Sequence, residues 1–374
     1  MTDRVNVMLP WLGEEEIAAV AEVIASGWVA QGPRVAEFEA RFAAAMQADH
    51  AVATTSCTTA LHLALVVAGI GPGDEVVIPS FSFVATANAV RYVGAVPVFA
   101  DVDAVTGNLD AATVAAAVTP ATRAVIVVDQ GGVPVDVEAI RAVVPRELVL
   151  IEDAACGAGS TYRGAPVGRG ADVAAWSFHP RKLLTTGEGG MLTTDRREWA
   201  DRARRLREHA MSVSAAERHR SVLPALEVYE EVGFNYRMTD LQAAVGIVQL
   251  GRLPEIVARR RELAARYADA VADRPGLRLV GDPEWGEANF QSCWLEVGPE
   301  SGRTREGLLE ALAASDVSAR RGIMAIHRQP PYRDAVAPGR LPVTERLTDR
   351  TLILPLFHQL TEAQQDRVIA VLTA

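Results

Sequence analysis

Cysteine is scarce in this sequence. Cys57, Cys156 and Cys293 are an odd number with no CxxC pair, so neither a disulfide framework nor a zinc site follows. Long apolar runs are absent; nothing approaches the ~18–20 residues that span a membrane. The start, MTDRVNVMLPWLGEEE, carries acid where a signal peptide needs base followed by an apolar stretch. The expectation is a soluble, cytoplasmic protein. Positive charge is in deficit, 37 Lys+Arg against 47 Asp+Glu for a net −10, which argues against a nucleic-acid partner. There is no internal repeat and no low-complexity tract. What remains is ordinary globular material: 374 residues, 49% hydrophobic and 22% charged, long enough for two to three domains.

Apolar spacing predicts helices over Glu14–Ser26 and 35–46, then short apolar runs alternating with helical stretches. The strand candidates are 51–54, Glu75–Pro79, 96–99, 124–128, 148–151, 173–178 and 191–194, with helices at 58–68, 110–118 and 137–144 between several of them. Such alternation predicts an α/β fold with a mostly parallel sheet and helices on both faces. Beyond about residue 250 come a long charged helix (253–272), strands at 277–280 and Cys293–Val297, and helices at Arg305–Ala314 and 362–372. The reading is a large domain over 1–250 and a smaller C-terminal α/β domain over 251–374. Residues 212–232 have little apolar periodicity at their start and read as a mobile loop. The arginines at 202, 204, 205 and 207 read as a solvated helix face.

A parallel sheet places its ligand site beyond the carboxyl ends of its strands. After the first strand, Ser56-Cys57-Thr58-Thr59 opens an apolar helix; the hydroxyls suit capping, and the free amides and helix dipole suit a phosphate. After 148–151 come Glu152 and Asp153, acids that burial penalises unless they are paired. Either could ligate a metal, pair with a lysine or hold a protonated ring nitrogen. After 173–178 come Pro180, which ends the strand, then Lys182 and three glycines within four positions, 187, 189 and 190. A lysine held against a dry sheet end can have its pKa lowered and attack aldehydes. Together these are the parts a pyridoxal phosphate site needs.

The motifs that follow cover nearly the whole chain: SGWVAQGPRVAEFEARF, TTALHLAL, GPGDEVVIPSFSFVATANAV, IEDAACGAGSTYRG, SFHPRKLLTTGEGGMLTT, GFNYRMTDLQAAVG and LPLF. In this order they resemble the DegT/StrS family of pyridoxal-phosphate sugar aminotransferases, of aspartate aminotransferase fold type I. The resemblance implies that Lys182 forms the Schiff base and shuttles the proton, and that Asp153 partners the pyridine nitrogen. It implies Phe83 as the ring-stacking aromatic and Cys57, Thr58 and Ser177 as phosphate ligands. Asn235 would be a phosphate ligand given by the neighbouring subunit of a homodimer. Arg237, His179 and His327 are candidates for substrate contact. Two departures stand out. Cys156 occupies the place of a glutamine that bonds the ring hydroxyl, and a thiol is a weaker partner; Cys57 replaces a glycine before the phosphate threonine.

The implied reaction moves an amino group from glutamate or glutamine, through the pyridoxamine phosphate form, to a nucleotide-linked keto sugar. The TTGEGG segment resembles the branch acting at C4 of 4-keto-6-deoxyhexoses. A keto-cyclitol or a C3 keto sugar is the alternative acceptor. Related dehydratases carry histidine in place of the lysine, so Lys182 argues against that activity, and intact Lys182, Asp153 and Asn235 argue against a non-catalytic regulator.

Overall fold

The computed structural model describes residues 4–213 and 226–374; the central part of the 212–232 stretch, read above as a loop, lies outside the described residues. In chain order the first part holds α1 (Glu14–Ser26), α2 (Pro33–Met46), β1 (His50–Thr54), α3 (Cys57–Val67), β2 (Glu75–Pro79), α4 (Ala85–Tyr92) and β3 (Val96–Ala100). There follow α5 (Ala111–Ala117), β4 (Thr122–Val128), α6 (Val137–Val143) and β5 (Val149–Asp153). Next come β6 (Thr161–Tyr162), β7 (Ala165–Pro166), β8 (Val173–Ser177), β9 (Gly190–Thr194), α7 (Arg197–Leu206) and α8 (Asp240–Val271). The rest comprises β10 (Leu277–Leu279), β11 (Gly286–Glu287), β12 (Cys293–Val297), α9 (Arg305–Ala314), β13 (Arg320–Arg321), α10 (Pro342–Arg350), β14 (Thr351–Leu354) and α11 (Glu362–Thr373).

The seven-stranded sheet has the order β1-β9-β8-β5-β4-β2-β3. The pairings β3–β2–β4–β5–β8 are parallel, and β9 runs antiparallel between β8 and β1. Strands β1, β2, β5 and β8 therefore all end at the same edge. Alternation along β8 shows why both faces are covered. Val173 and Ala175 pack with the α3 and α7 side, while Ala174 and Trp176 pack with Phe38 and Phe42 of α2. Trp176 and Phe178 meet Phe42 edge-on with centroids 5.3 Å apart, a geometry that aromatic quadrupoles favour.

Helix α8 is 32 residues long, about 48 Å at 1.5 Å per residue. Its Thr239 cap accepts from Gln242 N, and it runs straight through position 250, with Pro254 inside it. A second, four-stranded antiparallel sheet, β10-β12-β14-β13, follows. The sequence showed only two of its strands, because β13 and β14 are two and four residues long. The N-terminal segment packs on this part: Val5 bridges Val317.

The arginine-rich helix α7 corrects one expectation. Arg202 does pair with Glu231 near the surface, but Arg207 is buried against Glu39 and the Ala53 carbonyl. The solvated face is partly an internal ion pair.

Candidate active site

Asp153 ends β5 and Ser177 ends β8, next to it in the sheet. Neighbouring residues on a strand face opposite ways, and this separates two acids the sequence could not. Asp153 faces α3 and α4: its Oδ2 accepts from the Thr86 hydroxyl at 2.9 Å, and its Oδ1 from Ala155 N at 3.2 Å and the Cys57 thiol at 3.8 Å. Glu152 is turned to Gly168 N at 2.9 Å. Burial raises the Asp153 carboxyl, with Thr86, Lys182, Ala155 N and Cys57 pulling the other way. Burial, then Asp153, push the Cys57 thiol up, so it stays a protonated donor. The side chain that replaces the expected glycine therefore reaches the key carboxylate.

Lys182 lies in the loop after β8. Its N–H bonds to the His179 carbonyl at 2.8 Å, and its amine reaches Cys156 Sγ at 3.1 Å. The expectation of a lowered lysine pKa is reversed. Burial pulls the ammonium down, but Cys156, Cys57 and Asp153 together outweigh it and raise it. Lys182 is also the only lysine present, the other 36 of the 37 Lys+Arg being arginine. That count would have singled it out before any motif was read.

Helix α3 supplies the third part. Ser56 caps it and accepts from Thr59 N, leaving the amides of Cys57 and Thr58 at its positive end. Gly190 of β9, paired with Ser177, makes the close approach possible. A methyl there would sit 2.3 Å from Ser56 C and 2.5 Å from Cys57 N. Ser177, Thr58 and the α3 amides thus share one corner. An anion there, a ring nitrogen at Asp153 and an aldehyde at Lys182 match the three functional ends of pyridoxal phosphate, so the residues fit that group.

Residues 10–373 match the DegT/DnrJ/EryC1/StrS aminotransferase family. The chain belongs to that family. It is 41% identical over 366 residues to the spore coat polysaccharide biosynthesis protein SpsC of Bacillus subtilis (strain 168), covering 96% of this chain and 94% of SpsC. Spr1654 of Streptococcus pneumoniae, solved in PLP and PMP forms, superposes with a TM-score of 0.91 at 26% identity; its PLP form covers 99% of this chain and 98% of Spr1654. DesI, solved in the presence of its TDP-sugar product, matches with a TM-score of 0.89 and 33% identity over 100% of this chain and 93% of DesI. Membership makes the chain a pyridoxal-phosphate-dependent aminotransferase, with the fold-type I architecture seen above.

The other candidates fall in different places. Phe83, between β2 and α4, is 64% exposed, a free ring on the loop whose Ser82 bonds Thr86. Asn235 is exposed on a short ribbon bridging Glu208; among the described residues no contact ties it to Lys182 or Asp153 of its own chain. Arg237 is half-buried nearby in sequence. His179 accepts from Arg181 N at 3.1 Å, a local turn contact. His327 is buried, with Nδ1 at 2.7 Å from Ser80 Oγ and Nε2 at 3.4 Å from Glu345, so both ring nitrogens are engaged within the protein. Sequence reasoning missed Thr86 and Ser82; their signal was the hydroxyl spacing in SFVAT just after β2. Among the described residues no helix is long and apolar enough to cross a membrane.

Proposed function

We propose that the protein transfers an amino group from glutamate or glutamine to a nucleotide-linked keto sugar, at C4 of a 4-keto-6-deoxyhexose. The carrying observation is the convergence of Lys182, Asp153 and the α3 terminus at one sheet edge. Pyridoxal phosphate, when bound, supplies a carbon that accepts amines and an electron-poor ring that stabilises negative charge beside it. Lys182 then holds the cofactor and, once freed, carries the proton between the two carbons as general base and acid. Asp153 holds the ring nitrogen in its protonated form, with Thr86 fixing the carboxylate's angle. The α3 amides, Thr58 and Ser177 hold the phosphate, Phe83 covers the ring, and Cys156 lies against the amine of Lys182.

The acceptor class is supported by relatives: DesI was solved with a TDP-sugar product, and SpsC is named for polysaccharide biosynthesis. The GEGG segment favours C4. We read the active unit as a homodimer in which Asn235 and Arg237 serve the partner's site. Exposed Phe83, Tyr229 and Val232 give the apolar surface such an interface needs. The division into a cofactor part (1–250) and a smaller C-terminal part (251–374) belongs to the same reading, with α8 carrying the chain across. The test is to incubate the loaded enzyme with glutamate and a panel of nucleotide keto sugars and keto-inositols. An amine product from a 4-keto-6-deoxy nucleotide sugar, found by mass, is expected. Amination of a keto-inositol or a 3-keto sugar alone overturns the assignment.

A further inference from the structure

Asn235 is aimed by its two neighbours. Backbone bonds lay residues 234–236 along 206–209: Phe234 N donates to the Leu206 carbonyl at 2.7 Å, Tyr236 N to the Arg207 carbonyl at 2.9 Å, and His209 N to the Phe234 carbonyl at 2.8 Å. Side chains alternate along such a ribbon, so 234 and 236 share one face and 235 takes the other. Phe234 and Tyr236 turn inward. Their rings stack with centroids 4.9 Å apart and pack against the core to which α3 belongs. Asn235 is exposed on the opposite face.

His62 of α3 closes this inner face. It is buried, meets the Phe234 ring edge-on with centroids 4.8 Å apart, and its Nδ1 lies 3.0 Å from the Tyr236 hydroxyl. Burial lowers His62 and raises Tyr236, so both are neutral at pH 7 and the phenol donates to the ring nitrogen. The bond joins two unequal elements. Helix α3 is fixed without it, capped by Ser56 and packed on α4, β8 and β9. The ribbon joins no sheet among the described residues, and its bridge from Asn235 to Glu208 is an isolated one. The ribbon is therefore the element that shifts when the bond is lost.

We propose that His62 and Tyr236 are positioning residues: through the Tyr236 hydroxyl, α3 sets the direction of Asn235 and so completes the cofactor site of the partner subunit. The helix whose first turn takes one phosphate thus aims, from its second turn, the amide offered to the other. The inference rests on the reading above that Asn235 serves the partner's site in a homodimer. Its consequence is specific. A lesion at His62 or Tyr236 is felt in the partner's site and spares the site of the chain that carries it.

The experiment makes Tyr236→Phe, His62→Ala, His62→Asn and Asn235→Ala chains, each as a homodimer and as a mixed dimer with a differently tagged Lys182→Ala chain. PLP is titrated and trapped on Lys182 by borohydride. The mixed dimer then reports one site only: its lysine comes from the variant chain and its Asn235 from the Lys182→Ala chain. Tyr236→Phe keeps the stacked ring and removes only the hydroxyl, so it tests the bond in a folded ribbon. The Tyr236→Phe and His62→Ala homodimers are expected to need about tenfold more PLP than wild type, the loss of one hydrogen bond at a buried pair. His62→Asn, which again offers an acceptor, is expected to recover part of this. In the mixed dimers the PLP requirement is expected to return to that of a wild-type chain paired with Lys182→Ala. A loss that persists in the mixed dimers overturns the proposal, because the pair then serves only the α3 of its own chain; homodimers with no loss overturn it too. Asn235→Ala separates this from the reading beneath it. Restoration for Asn235→Ala but not for the other variants sinks the positioning role alone, whereas a loss that persists for Asn235→Ala sinks the shared site and this inference with it.

Discussion

Behind Asp153 lie two carboxyls that cannot both be charged. Asp129 follows β4 and is wholly buried; Glu152 of β5 is 2% exposed. Asp129 Oδ1 accepts from Val135 N and Glu152 Oε1 from Gly168 N, but Asp129 Oδ2 and Glu152 Oε2 are buried without an N–H donor. The two carboxyls are close enough to hydrogen-bond one another, and a shared proton satisfies both bare oxygens. Burial raises both groups, with the neighbouring acid adding to the rise at Asp129; Glu152 is pushed up to about 7.

The consequence is a stability that falls as pH rises. A carboxyl raised in the folded state binds its proton there after the unfolded chain has lost it. Folding is therefore favoured most below the ordinary value of 4.5, and the benefit is lost up to about 7. At 1.36 kcal/mol per pH unit, the span from 4.5 to about 7 costs about 3 kcal/mol by pH 8. Glu152→Gln keeps the acceptor for Gly168 N and offers Asp129 Oδ2 a permanent donor. The variant should gain about 3 kcal/mol on wild type at pH 8, roughly 4 °C in melting temperature for a chain of this size, and lose that advantage at pH 4.5. Melting curves of the PLP-loaded proteins at half-unit steps from pH 4.5 to 8 would read this. Parallel profiles for wild type, Glu152→Gln and Asp129→Asn would refute the shared proton.

Three further outcomes follow from the site. Borohydride reduction of the PLP-loaded protein should leave one cofactor on Lys182 as a secondary amine, a gain of the cofactor mass less one water plus two hydrogens, and Lys182→Ala should abolish the label and lower the activity at least ~100-fold, the lower range for general acid–base catalysis; peptide mapping checks the first and product assay the second. Asp153→Asn should weaken PLP binding about tenfold or more and Thr86→Ala by a smaller factor, in the order set by a charged against a neutral bond; a cofactor titration with the order inverted would count against Thr86 as the residue that angles Asp153. Gly190→Ala forces a methyl into the Ser56–Cys57 backbone and should cost about 1–3 kcal/mol together with PLP affinity, since β9 and the α3 terminus must part; melting and cofactor titration in tandem would show it.

Much of this arrangement was legible before any coordinates. Four strand ends carry Thr54-Ser56, Phe83, Asp153 and Ser177-Lys182, and a parallel sheet brings such ends together by topology alone. The choice between Glu152 and Asp153 was not legible from the strand itself, because both sit at one strand end and only the direction of the pleat separates them. The pairing of Glu152 with Asp129 escaped notice because it runs across two strands 23 positions apart, and no local pattern announces it. Arg260 read, together with Arg259 and Arg261, as one of the charges of a long charged helix. Its burial depends on three carbonyls from 290, 291 and 356, which only the packed chain supplies. Cys57 and Cys156 were visible as departures from the family pattern, but their contacts with Asp153 and Lys182 were not.

The parity of β5 also sets the charge that the cofactor meets. Glu152 and Asp153 are consecutive, so one faces Gly168 and Asp129 while the other faces Thr86 and Cys57. Below about pH 7 Asp129 and Glu152 share a proton, so the pair adds one negative charge rather than two, and it adds that charge on the far side of the strand. A ring nitrogen at Asp153 is then held by a carboxylate with a neutral thiol and a hydroxyl as its neighbours, rather than by one of three competing acids. Were the pair fully ionised, its field would raise Asp153 further and work against the ionised state that the ring needs. Glu152→Gln should for this reason leave PLP affinity intact or slightly improved at pH 8 while raising stability, a combination that a purely structural role for Glu152 does not produce.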